Sequence, residues 1–342
     1  MNDSVTIAID AMGGDIGAEV VVHAVKLTMD RQPRLKVILV GDETVVKAEM
    51  AKHDLHIGER LSLHHCTEVV QMDDPPSVAL RSKKDSSMRV AINLVKEQQA
   101  EAAVSAGNTG ALMAISRFVL KTLPNIDRPA LCTTLPARHG HTHMLDLGAN
   151  LDCTAEHLMQ FAVMGSTLAE AVDNVKSPRV GLLNIGAEEI KGNDQVKHAA
   201  KLIAASNVNY IGFVEGNEIY AEHVDVVVCD GFVGNVALKT SEGLASMIGY
   251  YLRDTFKSSW YGKLAGLLAL PIIKTFINRI DWRRYNGASL LGLKGIVVKS
   301  HGSADASAYS HAIEVAMIEV AKNVPNMIEQ HLQPLLRSEA TQ

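Results

Sequence analysis

Short apolar segments alternate with longer helical patterns along the chain, and small polar loops join them. The stretch 224–243 shows this unit most clearly, with the apolar run Val224–Val228, the turn Asp230–Asn235 and a helical pattern from Val236 onward. Consecutive apolar β-branched residues are typical of a parallel strand that is buried on both faces. The N-terminus of the following helix offers N–H groups and partial positive charge to an anion, although the same turn could serve only to join the two elements.

The unit recurs along most of the sequence. We predict strands at Val5–Ile9, Leu35–Val40, Leu61–Cys66, Ala102–Ser105, Pro129–Leu135, Thr142–Leu147, Val180–Ile185, Tyr210–Val214, Val224–Val228 and Gly295–Lys299. We predict helices at Ala18–Met29, after Thr44, from Ser86 or Ser87 to Gln99, from Gly110 to Thr122, at Ala155–Val172, from Asp194, from Val236, and at the end of the chain, where Pro325 interrupts the last one. This alternation predicts an α/β fold with a large, mostly parallel sheet and helices on both faces.

Length and composition narrow the class of protein. A chain of 342 residues could form one large or two smaller α/β domains, but no linker or low-complexity tract divides it, so we predict a single domain over residues 1–335. The net charge of −5 argues against a nucleic-acid-binding protein with a basic surface. The four cysteines form no C-x-x-C pair, which predicts reduced, mostly buried thiols of a cytosolic protein. No secretory signal is visible, and the uncharged apolar run Leu264–Ile273 is too short to span a bilayer.

The loops after the predicted strands are suited to binding an oxyanion. Neither G-x-G-x-x-G nor G-x-x-x-x-G-K-[ST] occurs, so the sequence supports no nicotinamide or P-loop fingerprint. Lys191 supplies a cation inside a strand-to-helix loop, and Asn108 and Asn235 supply amide donors. Together with loop N–H groups they could hold phosphate and stabilise an oxyanion without a side-chain nucleophile. The plainer alternative is that Lys191 is an exposed loop lysine.

Three alternating histidines raise the possibility of a metal site. His139, His141 and His143 are spaced as ligands on a strand could be. Because Arg138 and Gly140 beside them indicate a loop, we expect solvent-exposed histidines and no metal at this position.

Nine motifs in order give the chain a resemblance over nearly its whole length. They are Asp10–Asp15, Arg81–Met88, Ser105–Ala111, Asp127–Pro129, Leu145–Asn150, Gly181–Gly186, Lys191–Asn193, Asp230–Asn235 and His301–Ser303. In these motifs the chain resembles the bacterial acyl-carrier-protein:phosphate acyltransferase (PlsX) family. The resemblance implies a three-layer fold similar to isopropylmalate dehydrogenase and phosphotransacetylase, a homodimer, and no metal or other cofactor. It also implies that inorganic phosphate attacks the thioester of an acyl carrier protein, and that the acyl phosphate product feeds a membrane glycerol-3-phosphate acyltransferase.

The implied chemistry fits the loop residues. Phosphate is itself the nucleophile and a thiolate leaves readily, so the protein has to position two anionic partners and stabilise an oxyanion. We hypothesise that Lys191 holds phosphate, that Asn235 and Asn108 donate hydrogen bonds to the phosphate or the oxyanion, and that all of them meet at one rim of the sheet. The substrate-binding residues that we place there by the motifs are Asp10, Gly13, Gly14, Asp15, Gly107, Thr109, Asn193, Asp230, Gly231 and His301.

A basic patch could serve the acidic carrier. Arg81, Lys83 and Lys84 are candidates for docking the carrier protein or its phosphopantetheine phosphate, although the simpler interpretation of such a patch is a solvated helix face.

Segment 253–285 departs from the rest of the chain. Between Arg253 and Arg284 the net charge is +5, against −10 for the remainder, and apolar residues recur every four positions from Leu264. We predict an inserted basic amphipathic segment that Pro271 breaks or kinks into two short helices. Such a segment could lie on the anionic inner face of the cell membrane or pack in a dimer interface or core.

Two other functions remain open from the sequence. One is an acyl-CoA:phosphate transacylase, which would act on short acyl-CoA and not on the carrier protein. The other is a non-enzymatic scaffold for lipid synthesis that is recruited to the membrane and binds phosphate only structurally.

Overall fold

A computed structural model describes residues 4–280 and 282–339 of the chain, with the backbone alone at 277–280, 282 and 333–339. The strands are β1 Val5–Asp10, β2 Leu35–Gly41, β3 Leu61–His65, β4 Ala102–Ser105, β5 Ala130–Pro136, β6 His141–Leu145, β7 Val180–Leu183, β8 Tyr210–Val214, β9 Val226–Val228, β10 Ala288–Leu291 and β11 Ile296–Lys299. The helices are α1 Ala18–Arg31, α2 Glu43–Lys52, α3 Pro76–Ser82, α4 Ser87–Lys96, α5 Thr109–Leu120, α6 Ala155–Asp173, α7 Asp194–Ala204, α8 Gly231–Lys257, α9 Trp260–Ile280, α10 Ala306–Lys322 and α11 Val324–Glu339.

The strands form one continuous sheet in the order β3-β2-β1-β4-β11-β10-β5-β6-β9-β7-β8. The first five strands in this order are parallel to one another, and so are the last four. Between these two blocks, three successive pairings are antiparallel: β11 with β10, β10 with β5, and β5 with β6. Three reversals leave the two parallel blocks running in opposite directions.

Helices cover both faces of the sheet and give it three layers. In β1, Ile7 and Ile9 pack against α1 and α10 on one face, whereas Ala8 faces α4 and α5 on the other. Successive side chains of a strand point to opposite faces, so a strand that is apolar throughout has to be covered twice. In the second half of the sheet α6, α7 and α11 cover the same face as α1, and α8 packs on the opposite face. The predicted sheet with helices on both faces is confirmed.

Three predictions about individual elements need correction. Strand β10 was not predicted, because a four-residue strand without β-branched residues gives no clear pattern. Helix α3 is also absent from the predicted elements; it begins at Pro76, and proline is well tolerated in the first turn of a helix. Pro271 lies inside α9, and the chain turns instead at Ser258 and Ser259, where the Ser259 hydroxyl accepts the N–H of Gly262 at 3.1 Å.

Helices α8 and α9 form a hairpin that projects from the sheet. Only Gly231 and Gly234 of α8 are buried, and large apolar side chains of both helices are exposed. They include Leu244, Met247, Ile248, Tyr250, Tyr251, Trp260, Tyr261, Leu264, Leu267, Leu268, Ile272 and Phe276. Within the described residues, neither of these helices nor any other combines the length and hydropathy that crossing a bilayer requires.

One buried carboxyl group makes the stability of the fold depend on pH. Glu319 on α10 is fully enclosed and accepts a hydrogen bond from the Ser289 hydroxyl on β10, and burial raises its pKa to about 7. This folded-state pKa exceeds the ordinary value of 4.5. The contribution of Glu319 to the free energy of unfolding is therefore fully present below about pH 4.5 and is lost as the pH rises through about 7.

We expect Glu319→Gln to stabilise the protein at pH 8.5 and to have little effect at pH 5, because glutamine stays neutral and can still accept from Ser289. The shift corresponds to at most about 3 kcal/mol in the free energy of unfolding. Urea unfolding at the two pH values measures the difference, with the exposed Glu59→Gln as control. An equal effect of Glu319→Gln at both pH values would contradict this assignment.

Candidate functional site

The polar loops open at two opposite edges of the sheet. Loops after β1, β4 and β11 lie at one edge, which we call the β1 edge, and loops after β6, β7 and β9 lie at the other, the β9 edge. The expectation of a single rim is wrong, because it assumed one strand direction throughout. The β9 edge holds Lys191, Asn193, Asp230, Gly231 and Asn235. The β1 edge holds Asp10, Gly13, Gly14, Asp15, Gly107, Asn108, Thr109 and His301.

Helix α8 begins at the β9 edge in close contact with the loop after β6. Asp230 caps the helix by accepting the N–H of Val233 at 2.9 Å. A Cβ atom added to Gly234 would lie 1.9 Å from the carbonyl oxygen of Asp146, so only glycine allows the first turn of α8 to lie this close to the loop. As a result the side chain of Asn235 lies directly beside Gly148. A Cβ atom added to Gly148 would lie 3.4 Å from the Cβ of Asn235.

The carboxylate of Asp146 organises the loop that α8 contacts. Its Oδ1 atom accepts the N–H groups of Leu131, Leu147 and Ala149, and its Oδ2 atom accepts the N–H and the side-chain amide of Asn150 at 2.6 and 3.0 Å. Burial raises the pKa of Asp146, and the hydrogen bonds from Leu131, Ala149 and Asn150 oppose that change. All of its contacts are internal to the protein, so the carboxylate shapes the site. We did not single out this residue from the sequence, although a strand ending in Asp-Leu-Gly-Ala-Asn marks it.

The loop that carries Lys191 is held in shape by Asn184. The Asn184 side-chain amide donates to the carbonyl oxygens of Gly186 and Lys191 at 3.2 and 3.3 Å. Gly192 has a φ of 87°, and a Cβ there would lie 2.4 Å from the Asn184 side chain. Asn193 then caps α7 by accepting the N–H of Val196 at 2.8 Å. The Lys191 side chain is exposed, and its loop follows β7, the strand next to β9.

A second buried carboxylate organises the β1 edge in the same way. Asp10 accepts the N–H groups of Met12 and Gly13 at 3.2 and 3.1 Å and the hydroxyl of Ser105 at 2.6 Å. The Ser105 oxygen in turn accepts the N–H of Gly107 at 3.0 Å. Burial raises the pKa of Asp10. This network joins the loops after β1 and β4.

The amide of Asn108 is already used by the protein. Its oxygen caps α5 by accepting the N–H of Ala111 at 3.0 Å, and its nitrogen donates to the carbonyl oxygens of Met72 and Asp74 at 2.7 and 3.0 Å. Thr109 follows as the first residue of α5. Asn108 is therefore apart from Lys191 and Asn235 and has its hydrogen bonds directed into the neighbouring loop.

Lys299 is a buried cation at the β1 edge that we missed in the sequence. Its Nζ donates to the carbonyl oxygens of Ala106 and Ser300, and burial lowers its pKa to about 8. His301, two residues later, is half-buried, which lowers its pKa, and it lies close enough to Lys239 and Glu242 on α8 to interact with their charges. A lysine that ends a buried apolar strand was the available sequence signal.

The three basic residues of the proposed carrier patch have different surroundings. Arg81 on α3 and Lys84 after it are exposed. Lys83 is less available to bind a carrier protein, because its Nζ forms an ion pair with Asp74 and donates to the carbonyl oxygen of Val69 at 2.8 Å.

The cysteines near the β9 edge are poor nucleophiles. Cys229 is buried and Cys153 half-buried, and burial raises the pKa of Cys153 to about 11 and that of Cys229 well above its ordinary value. Both thiols are therefore protonated at neutral pH. The prediction that most of the cysteines are buried is confirmed.

Comparison with known proteins assigns the chain to a family. A family model described as "Fatty acid synthesis protein" matches residues 5–327. The chain is 60% identical to a phosphate acyltransferase of Alkalilimnicola ehrlichii, covering 98% of both chains, and 58% identical to that of Nitrosococcus oceani, covering 97% of this chain and 98% of the relative. A solved phosphotransacetylase from Streptococcus pyogenes has a similar fold, with a TM-score of 0.62 at 18% identity over 93% of this chain and 94% of its own.

These matches extend over both parallel blocks of the sheet and confirm the resemblance that the nine motifs indicate. A relative at 60% identity over almost the whole chain leaves no part of the sheet outside the comparison. The chain is an acyltransferase and belongs to the phosphate acyltransferase family.

Proposed function

We propose that the protein transfers the acyl group of an acyl–acyl-carrier-protein thioester to inorganic phosphate, giving acyl phosphate and the free carrier thiol. The observation that supports this most directly is the β9 edge. There the loop of Lys191 and the N-terminus of α8 follow the adjacent strands β7 and β9. A helix N-terminus and a lysine together favour a bound oxyanion.

The surroundings favour phosphate as the attacking group. Asp146 is committed to five internal donors, and the thiols of Cys153 and Cys229 are held in their protonated form. A reaction in which phosphate attacks and a thiolate leaves needs no side-chain nucleophile, only positioning and charge stabilisation.

We assign separate roles to the residues of the β9 edge. Lys191 holds the phosphate, and Asn235 donates to the phosphate or to the oxyanion that forms at the thioester carbon. Gly231 lets the backbone approach closely, since a Cβ there would lie 2.5 Å from the carbonyl oxygen of Asn150. Asn193 and Asp230 fix the starts of α7 and α8 as N-caps.

We assign the β1 edge to the carrier side of the substrate. The exposed Arg81 and Lys84 offer positive charge to an acidic carrier protein, whereas Lys83 and Asn108 shape the loops beside them. Gly13, Gly14, Asp15, Gly107, Thr109 and His301 remain candidates for substrate contact here, whereas the buried Asp10 shapes the loops around them. Helix α8 connects the two edges, because the eleven residue steps from Gly231 to Glu242 extend about 16 Å.

We further propose that the α8–α9 hairpin is a contact surface, on the inner face of the cell membrane or between two copies of the chain. Large aromatic and aliphatic side chains are exposed along both of its helices, and clustered exposed apolar side chains of this kind mark interaction sites. The net charge of +5 over 253–285 favours an anionic membrane. Peripheral attachment would bring acyl phosphate close to the membrane glycerol-3-phosphate acyltransferase that the family resemblance implies.

We expect Lys191→Ala to fold normally and to release carrier thiol from acyl carrier protein about 100-fold more slowly, because a lost oxyanion contact costs about 3 kcal/mol of barrier. Lys201→Ala, on the exposed side of α7, is the matched control. Thiol release is followed with and without phosphate, and with acyl-CoA as an alternative donor. Full activity of Lys191→Ala would remove Lys191 from the mechanism. Release from acyl-CoA alone would identify an acyl-CoA transacylase, and release from neither donor would favour the scaffold.

The two asparagines should separate catalysis from folding. Asn235→Ala should lower kcat about 100-fold with little change in Tm, because its side chain lies at the reacting edge. Asn108→Ala should lower the free energy of unfolding by roughly 1–3 kcal/mol through the lost cap and loop contacts, and kcat by less than about tenfold. Thermal melts and steady-state thiol release measure both effects. The reverse pattern would place the oxyanion at the β1 edge.

The hairpin surface can be tested with Leu268→Glu, at a side chain that is 76% exposed. We expect this variant to sediment less with anionic phospholipid vesicles at low salt than the wild type. Ile57→Glu changes an exposed apolar residue between α2 and β3, outside the hairpin, and should sediment like the wild type. If Leu268→Glu still pellets with vesicles but loses self-association in analytical ultracentrifugation, the hairpin is a dimer contact instead.

A further inference from the structure

Two histidines and an aspartate converge at the start of β6, at the end of that strand away from Asp146. The Nε2 atom of His141 lies 3.0 Å from Asp173 Oδ1, and the Nε2 atom of His143 lies 2.7 Å from Asp173 Oδ2. Potential ligand atoms of all three side chains lie within 4.8 Å of one another. The cluster joins the first half of β6 to the last residue of α6.

The structure corrects the expectation that these histidines lie in an exposed loop. Strand β6 begins at His141, which pairs with Pro136, and His143 pairs with Thr134. Residues at positions i and i+2 of a strand share one face, so the two imidazoles point the same way. Only His139 remains in the exposed turn, where it pairs with Glu222 at 2.9 Å.

The cluster has the chemistry of a transition-metal site. Two imidazole nitrogens and one carboxylate form a ligand set that leaves a fourth tetrahedral position for water. His143 is nearly fully buried, whereas the His141 side chain is 32% exposed, so the set is anchored in the protein and open on one side.

The contact behind His143 also fits a metal ligand. Its Nδ1 atom lies 3.2 Å from the hydroxyl oxygen of Thr134. When Nε2 binds a metal, Nδ1 has to carry the ring proton, and the Thr134 oxygen is placed to accept it. A hydrogen-bond acceptor on the other ring nitrogen fixes the tautomer and the orientation of a metal-bound histidine.

We propose that His141, His143 and Asp173 bind one divalent transition-metal ion, with zinc preferred over magnesium or calcium. Imidazole nitrogen favours zinc, cobalt or nickel, whereas magnesium and calcium prefer sites made of oxygen ligands alone. The ion links β6 to the end of α6. His143 is three residues before Asp146 on the sheet, about 10 Å away, so the ion stands apart from the acyl-transfer site and acts on stability.

The test is direct metal binding to protein dialysed against chelator. We expect wild-type protein to bind one equivalent of Zn²⁺ by calorimetry, to show the intense visible absorption of tetrahedral cobalt when Co²⁺ is added, and to gain thermal stability with Zn²⁺ but not with Mg²⁺. His141→Gln and Asp173→Asn should weaken binding at least about 100-fold and lose the cobalt spectrum.

Two controls keep the result interpretable. His139→Gln removes a histidine two residues from His141 that lies outside the cluster. It should bind metal like the wild type, which would show that losing a nearby histidine is not enough to weaken binding. Asp173→Asn can still hydrogen-bond both imidazoles. Circular dichroism and retained thiol release establish that each variant is folded. Absence of stoichiometric binding to the wild type, or equal binding by folded His141→Gln and Asp173→Asn, would overturn the proposal.

Discussion

The antiparallel pairing at the centre of the sheet decides the layout of the whole molecule. Strands β10, β5 and β6 reverse direction in turn, so the two parallel blocks on either side run in opposite directions. Loops that follow strands are where an α/β protein carries its polar chemistry. The reversal therefore divides these polar loops between two edges, with Lys191 and the N-termini of α7 and α8 at one and the Asp10 network at the other.

Each edge depends on one buried carboxylate that binds backbone N–H groups. Asp146 accepts five donors and Asp10 accepts three, and in both cases the loops that they shape bring glycines against a neighbouring backbone. A buried carboxylate is costly unless such donors compensate for its lost hydration. The same arrangement explains why Gly13 and Gly234 tolerate no side chain. The local rigidity of the site thus comes from residues that do not react.

An acyltransferase of this kind works by positioning more than by covalent chemistry. The phosphate supplies the nucleophile and the thioester supplies its own leaving group, so in the proposed site the protein contributes only N–H groups, the Lys191 ammonium and the Asn235 amide. Helix α8 starts at the proposed phosphate site, interacts with His301 near the opposite edge, and continues into the exposed hairpin. One helix therefore joins the proposed phosphate site, the proposed carrier side and the proposed contact surface.

The sequence by itself determined the repeating strand–loop–helix unit, most strand positions and the family, because buried apolar runs and glycine-rich motifs are local properties of the chain. It also marked Lys191 and Asn235, since both stand in loops between a strand and a helix. Only the tertiary structure decided that Asn108 lies at the other edge, that Lys83 is paired with Asp74, and that His141 and His143 meet Asp173. The physical reason is that strand direction and side-chain partners depend on pairings between residues far apart in sequence, such as β5 with β10, which no local pattern records.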